Sequence, residues 1–205
     1  MKLYYKPGTC ALGIHVILEE IGKPYEMQSV NFADKEQYGA AFVAINPKSK
    51  VPALQRDDGS VLTEFPAIAM WLALVNPEKR LVAEAPEGIA RALEAMDYIV
   101  ATLHMQGFAR LFQPGNFSPD ESQHDAVKQR GHALIDRAFA IIDGKLAGQT
   151  YLLGDFSIAD AALFYTEFWA VKRLNLALPN RCRRHFEAMM ARPAVQAALA
   201  GEGLA

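Results

Sequence analysis

Apolar residues recur every three or four positions between Cys10 and Ile21, and this spacing predicts an amphipathic helix that Gly22 ends. The short run Leu3-Tyr4-Tyr5, before the helix, predicts a strand. The segment from Tyr25 to Phe32 mixes aromatic and β-branched residues with polar ones and predicts a second strand. A strand, a helix and a strand in this order indicate a parallel strand pair joined by a crossover.

The next part of the chain carries a hairpin pattern. A weakly helical stretch around Tyr38 to Ala44 precedes two short apolar segments, Ala53-Leu54-Gln55 and Val61-Leu62-Thr63. The pair Asp58-Gly59 lies between them and is a strong signal for a β-hairpin turn. Helical spacing then resumes from Pro66 to Val75. The predicted order of the first domain is therefore βαβαββα.

Strand patterns disappear in the second half of the chain. From Pro86 onward the spacing of apolar residues is helical throughout, so a boundary is predicted between Asn76 and Ala85. The prediction is an α/β domain over residues 1–78 and an all-α domain over residues 86–205.

Two segments of the second domain carry the pattern of a helix capping box. In Ser118-Pro119-Asp120-Glu121 the serine is predicted to cap a helix that runs to about Leu146. In the second segment the hydroxyl of Ser157 can accept a hydrogen bond from the backbone N–H of Asp160. The carboxylate of Asp160 can in turn accept from the backbone of Ser157.

The composition excludes several classes of protein. The chain has 205 residues, 51% hydrophobic and 21% charged, which argues against disorder and a coiled coil. Its net charge of −2 and its scattered basic residues give no stripe for nucleic acid or an anionic membrane. No apolar run reaches the length of a signal peptide or a membrane span, which predicts a cytoplasmic location. Cys10 and Cys182 are too few for a disulfide framework and too far apart for a zinc site.

The dipeptide Val51-Pro52 opens the predicted strand that contains Leu54. Proline is tolerated at the first residue or the edge of a strand, and an X-Pro bond is the only one for which the cis form costs little. We therefore predict a cis peptide bond here. In thioredoxin-like folds the residue before such a proline offers its backbone to a peptide-like ligand, opposite a cysteine or hydroxyl at the start of the first helix.

The chain resembles a bacterial glutathione transferase over essentially its full length. It is most similar to the beta class, whose members carry cysteine at the catalytic position. Three segments carry the resemblance: Lys2 to Cys10, Asn46 to Leu54, and Arg192 to Gln196. The capping box at Ser157 supports it. The resemblance implies a thioredoxin-like first domain, an all-helical second domain, and a homodimer with one glutathione site per subunit.

Cys10 and His104 are the expected catalytic residues. A cysteine at a helix N-terminus has its thiolate stabilised by unpaired N–H groups and by the helix dipole, although a lone cysteine is as often a small buried hydrophobe. The resemblance places His104 opposite Cys10 across the domain cleft, where an imidazole could assist proton transfer. His15, one turn past Cys10, is the alternative partner. Cys182 is expected to be structural.

The resemblance also implies a set of glutathione contacts. The backbone of Val51 before Pro52 would pair with the cysteinyl part, and the N-terminus of the helix after Glu64 would bind the γ-glutamyl carboxylate. Asp97 would reach the γ-glutamyl amine across the dimer. The remaining expected contacts are Tyr5, Lys35 for the glycyl carboxylate, Lys50 and Phe65.

The expected function is transfer of the glutathione thiolate to a small apolar electrophile, as in detoxification. The electrophile would lie between the domains beside Tyr5, and the other expected contacts are Phe108, Phe112 and Trp169. No metal cofactor is expected. Two alternatives remain. Cys10 could form a mixed disulfide with glutathione or hydrogen-bond its sulfur, and a mixed disulfide would support glutathione-dependent thiol-disulfide chemistry. The other alternative is a regulatory or interaction protein that keeps the fold with little turnover, and it is favoured by Phe65-Pro66, where the resemblance implies Ser or Gly after Glu64.

Overall fold

A computed structural model describes all residues from Met1 to Ala205. The chain forms two compact units. The first contains residues 1–89 and 189–205, and the second contains residues 90–188. The sequence-based division assigned the C-terminal residues to the second domain, whereas in the structure they belong to the first unit.

The first unit is built on a four-stranded mixed sheet in the order β2-β1-β3-β4. The central strand β1 pairs in parallel with β2 and antiparallel with β3, and β3 forms the predicted hairpin with β4. The strand β2 is shorter than predicted because it pairs only with the four residues of β1. The strands are β1 (Lys2–Tyr5), β2 (Glu26–Ser29), β3 (Ala53–Gln55) and β4 (Val61–Thr63).

The helix α1 (Ala11–Ile21) forms the centre of the first unit's core. Nine of its eleven residues are buried, and α3 and the C-terminal helix α9 pack against it. The predicted boundaries are confirmed, since Cys10 is the N-cap residue and Gly22 ends the helix in the left-handed conformation. The other helices of this unit are α2 (Ala40–Ile45), α3 (Phe65–Leu74) and α9 (Pro193–Gly201).

Buried hydrogen bonds and an ion pair hold α9 against α1. The carboxylate of Glu202, with a fully buried side chain, accepts a hydrogen bond from the Gly8 N–H at 2.7 Å and lies 3.1 Å from His15 Nδ1. At the other end of α9, Arg192 donates to Glu20 at 2.7 Å. The approach is close at Gly201, where a Cβ would lie 3.0 Å from the imidazole of His15 and the ring would have to shift.

The second unit is helical, as predicted. The helix that starts at Pro86 continues without a break through a π-helical stretch to Phe112, which the sequence pattern did not indicate. No helix of the chain is both long and apolar enough to span a membrane. The elements are α4 (Pro86–Asp97), the π-helical Tyr98–Phe108, α5 (Ala109–Phe112), α6 (His124–Lys145), α7 (Ile158–Phe168) with a π-helical turn Trp169–Arg173, and α8 (Asn180–Met190).

The helix α6 packs closely on the π-helical stretch. A Cβ at Gly131 would lie 2.3 Å from Leu111 and 3.0 Å from the Gly107 carbonyl oxygen, so only glycine fits this crossing. The cap predicted at Ser118 is wrong. The N-cap residue is Asp120, whose carboxylate accepts from the Ser122 N–H at 2.9 Å and opens a short 3₁₀ turn before α6. Aspartate suits this role because its carboxylate also interacts favourably with the positive end of the helix dipole.

The capping box at Ser157 is confirmed, and it belongs to a larger buried network. Asp160 accepts from the Ser157 N–H and from the Leu152 N–H, both at 2.8 Å. His185 lies between two carboxylates, with Nε2 3.2 Å from Asp160 and Nδ1 2.8 Å from Glu167. The second oxygen of Glu167 is buried and has no hydrogen-bond partner. The network joins α7, α8 and the loop before α7.

The ionisation of this network follows from its geometry. Burial disfavours the charged form of His185, but the charge of Glu167 and hydrogen bonds to both carboxylates outweigh burial and raise the pKa to about 10. Burial raises the pKa of Glu167 to about 7, against the opposing charge of His185. His185 is therefore an imidazolium ion at neutral pH.

We predict that Glu202→Ala lowers the free energy of unfolding by about 1.5–3 kcal/mol, because the Gly8 N–H and His15 lose a buried charged acceptor. Urea denaturation measures this loss. Glu26→Ala, which removes the exposed partner of Lys2, is the control and should change stability by less than about 0.5 kcal/mol. Equal stability of the two variants would contradict the role of Glu202.

We also predict that His185→Gln lowers the free energy of unfolding by about 3 kcal/mol or more at pH 6, because it leaves buried carboxylates without their cation. The folded pKa of His185 is raised from 6.5 to about 10, so its contribution is fully present below pH 6.5 and is lost as the pH rises through 10. The difference in free energy of unfolding between wild type and His185→Gln should therefore decrease as the pH rises from 6.5 to 10. The exposed His132→Gln is the control, and a difference independent of pH would mean that His185 is neutral in the folded protein.

Candidate functional site

Cys10 lies at the junction between the loop after β1 and the helix α1. The loop is fixed on two sides: Thr9 donates its hydroxyl to the Lys6 carbonyl at 2.8 Å, and the Gly8 N–H is bound by Glu202. The thiol of Cys10 lies 3.5 Å from the Val51 carbonyl oxygen. Two residues that are 41 positions apart in the chain, and that were both predicted as site residues, are thus adjacent.

Burial decides the ionisation of Cys10. Burial raises the pKa of its thiol to about 12, although the backbone N–H groups of Cys10 and Ala11 and the charge of Lys50 act in the opposite direction. The charge of Glu64 adds to the effect of burial. The helix N-terminus stabilises a thiolate as predicted, but by less than burial disfavours it. Cys10 is therefore a neutral thiol at pH 7.

The peptide bond between Val51 and Pro52 is cis, which confirms the prediction. Asn46, which is 1% exposed, organises the preceding loop: its side chain donates to the Lys50 carbonyl at 2.7 Å and accepts from the Lys48 N–H at 3.1 Å. This role of Asn46 was not predicted from the sequence. A sequence signal for this role is the pair Asn46-Pro47, shortly before Pro52. An asparagine side chain often hydrogen-bonds to the backbone N–H two residues later in the chain.

Glu64 lies between β4 and α3, with its backbone in the left-handed region at φ 72°. Its exposed carboxylate accepts from Lys48 Nζ at 2.7 Å, and the same ammonium group donates to the hydroxyl of Thr63 at 2.8 Å. Lys48 was not among the site residues predicted from the sequence. Phe65 starts α3, and it is only 3% exposed. Its ring is thus part of this unit's own core.

Three further predicted contacts, Tyr5, Lys35 and Lys50, belong to the first unit. Tyr5 is half-buried at the end of β1, with its ring centroid 6.4 Å from that of His15, and burial raises the pKa of its hydroxyl. Lys50 lies close enough to Cys10 to lower the pKa of the thiol. Lys35 is exposed at the start of a 3₁₀ turn with φ 57°, and its predicted contact with the glycyl carboxylate stays a prediction.

His15 does not serve as a partner of Cys10 in the structure. It is 2% exposed and lies against Glu202, as described above. A cleft of about 510 Å³ opens beside it, between α1 and α9. None of the residues predicted to bind glutathione lines this cleft; its polar lining includes Glu19, Lys23 and Tyr25.

His104 belongs to an aromatic cluster in the second unit. Its Nδ1 lies 3.2 Å from the hydroxyl of Tyr165, which is fully buried, and its ring meets the edge of Trp169 at a centroid distance of 4.7 Å. Asp97 is exposed at the end of α4. The assignment of His104 and Asp97 to catalysis and glutathione binding stays a prediction.

The three aromatic residues predicted to contact the electrophile form one cluster in the second unit. Trp169 lies 5.5 Å from Phe108 and 5.4 Å from Phe112, measured between ring centroids. Phe108 and Trp169 are buried, at 0% and 4% exposure, while Phe112 is 38% exposed. Phe112 is therefore the member with the most surface available to a ligand.

Cys182 has a structural environment, as predicted. It is fully buried in α8, and its thiol lies 3.7 Å from the Phe139 carbonyl oxygen. Burial, with the charges of Glu167 and Asp143, raises the pKa of this thiol.

Comparison with known proteins relates this geometry to a family. Residues 8–74 match the family described as glutathione S-transferase, N-terminal domain, and residues 125–200 match glutathione S-transferase, C-terminal domain. The chain is 38% identical to glutathione S-transferase GstA of Escherichia coli O157:H7 over an alignment of 209 residues that covers all of both chains.

Solved structures similar to this chain are also glutathione S-transferases. The structure of a sphingomonad glutathione S-transferase complexed with glutathione has a TM-score of 0.86 and 33% identity, with full coverage of both chains. A beta-class glutathione S-transferase of Sphingomonas chungbukensis has the same TM-score at 29% identity, again with full coverage. With two domain matches over most of its length and full-length relatives above 30% identity, this chain belongs to the glutathione S-transferase family.

Proposed function

We propose that this protein binds glutathione in its first unit and conjugates it, through its thiolate, to a small apolar electrophile. The observation that carries the proposal is the contact between the thiol of Cys10 and the carbonyl of Val51, beside the cis bond to Pro52. A backbone segment that lies beside a thiol at the start of a helix suits the cysteinyl part of glutathione. Relatives with glutathione bound support this choice of ligand.

Cys10 acts in this proposal as a hydrogen-bond donor. Its pKa, raised to about 12, keeps the thiol protonated at pH 7, and a neutral thiol is a poor nucleophile. A neutral S–H group can donate to the ionised sulfur of glutathione and lower the pKa of that sulfur. The proposed chemistry is thus stabilisation and positioning of the glutathione thiolate, with attack on the electrophile by that thiolate.

The alternatives are less well supported. A mixed disulfide between Cys10 and glutathione requires the thiolate that burial disfavours. The regulatory alternative drew on the unusual Phe65-Pro66 pair at the start of α3. The Phe65 ring is buried and therefore does not cover the surface beside Glu64. The full-length relatives are named as transferases, which also argues against the regulatory alternative.

Several finer points belong to the proposal. A homodimer would bring Asp97 to the γ-glutamyl amine, and the apolar side chains of Leu74 and Val75, exposed by 53% and 45% at the end of α3, would support such an assembly. His104 would assist proton transfer, and the side chain of Phe112 would contact the electrophile. Detoxification and a cytoplasmic location stay predictions.

Isothermal titration with glutathione, followed by a conjugation assay with an aryl halide, tests the proposed function. We expect saturable binding with one site per chain and release of halide that depends on glutathione. Binding without turnover on a panel of electrophiles would favour the regulatory alternative, and no binding would reject the proposal.

We predict that Cys10→Ala lowers kcat/KM by roughly 10- to 150-fold, since a hydrogen bond to an ionised group contributes about 1.5–3 kcal/mol. Cys10→Ser keeps a hydroxyl donor and should lose less than the alanine variant. Steady-state kinetics with glutathione and an aryl halide measure both effects. Cys182→Ala, which removes the other thiol, should keep wild-type kcat/KM in its folded fraction. Equal losses in the serine and alanine variants would contradict the donor role.

A further inference from the structure

Lys48 is placed as a counter-ion of Glu64 at the proposed glutathione site. Its ammonium group is 2.7 Å from Glu64 Oε1 and 2.8 Å from the hydroxyl of Thr63. The side chains of Lys48 and Glu64 are 51% and 59% exposed, so a ligand can reach both groups. An exposed pair of this kind contributes little to folding stability, which leaves it free to exchange partners.

The backbone around Lys48 holds it over Glu64. The buried amide of Asn46 binds the loop at both the Lys48 N–H and the Lys50 carbonyl. Ser49, between them, has a left-handed backbone with φ 56°. Lys48 therefore projects from a fixed loop, and its position does not depend on its contact with Glu64 alone.

The chemistry of the ligand explains why this pair matters. The γ-glutamyl end of glutathione carries an ammonium and a carboxylate on the same carbon atom. If the carboxylate lies at the N-terminus of α3, as predicted from the sequence, the ammonium lies within a few ångströms of the Glu64 side chain, at the N-cap of that helix. Asp97, predicted to reach the same ammonium across a dimer, would be a second acidic contact.

We infer that Lys48 is a specificity-determining residue. Its ammonium group competes with the ammonium group of the ligand for the carboxylate of Glu64. This competition determines how strongly the site prefers a ligand with a free γ-glutamyl amine. Lys48 neutralises Glu64 in the free site, and this favours a ligand carboxylate but weakens the attraction for an ammonium. Without Lys48, Glu64 would present an uncompensated negative charge to the ligand. The inference rests on the proposed function, because it requires glutathione at this site.

Isothermal titration of wild type and Lys48→Met with two ligands tests the inference. The ligands are glutathione and its deaminated analogue, glutaryl-cysteinylglycine, which differs only by the amine. We expect the ratio of the two affinities, glutathione over analogue, to rise by roughly two- to fivefold in Lys48→Met, the size expected for an exposed ion pair. The rise should shrink in high salt, since screening weakens interactions between exposed charges.

Three further variants serve as controls. Lys48→Arg keeps the positive charge and should keep the wild-type ratio. Lys2→Met removes an exposed lysine that pairs with Glu26 at 3.1 Å and should not change the ratio. In a Glu64→Gln background, Lys48→Met should change the ratio by less than it does in wild type, because the acidic group for which the two cations compete is absent.

The outcomes separate the inference from the proposed function. An unchanged or lower ratio in Lys48→Met, with glutathione still bound, overturns the inference and leaves the proposed function standing. Equal weakening of both ligands would assign Lys48 to a ligand carboxylate and also overturn it. If wild type binds neither ligand, the proposed function fails, and the inference fails with it.

Discussion

The buried carboxylate of Glu202 needs hydrogen-bond partners, and the loop that carries Cys10 supplies one of them. Gly8 donates its backbone N–H to one oxygen, and the ring of His15 lies against the other. Because a buried carboxylate is costly without such contacts, the loop before α1 and the residues after α9 are held together. The position of the thiol of Cys10 thus depends on a residue 194 positions beyond Gly8.

Burial also decides the chemistry of the thiol. The N–H groups at the start of α1 and the nearby charge of Lys50 favour a thiolate, but desolvation outweighs them. The result is a neutral thiol that lies 3.5 Å from the Val51 carbonyl oxygen. A site that uses a neutral thiol stabilises charge on the ligand's sulfur, whereas a low-pKa cysteine would carry the charge itself.

Buried carboxylates are also stabilised by buried partners in the second unit. Asp160, Glu167 and His185 are all buried, and the imidazolium between the two carboxylates makes their burial tolerable. The network fixes the loop before α7 through the N–H groups of Leu152 and Ser157. The capping box is thus part of the tertiary structure of this unit, and the network fixes the N-terminus of α7. The same helix carries Tyr165, whose hydroxyl contacts His104.

The amino-acid sequence by itself determined the elements that depend on local signals. The helix from Cys10 to Ile21, the hairpin around Asp58-Gly59, the cis bond at Val51-Pro52 and the capping box at Ser157 all follow from neighbouring residues, and all are confirmed. The pKa of Cys10, the role of Glu202 and the pairing of Lys48 with Glu64 could not be predicted. Each depends on groups that only folding brings together, because solvent exclusion and hydrogen-bond distance are properties of the packed chain.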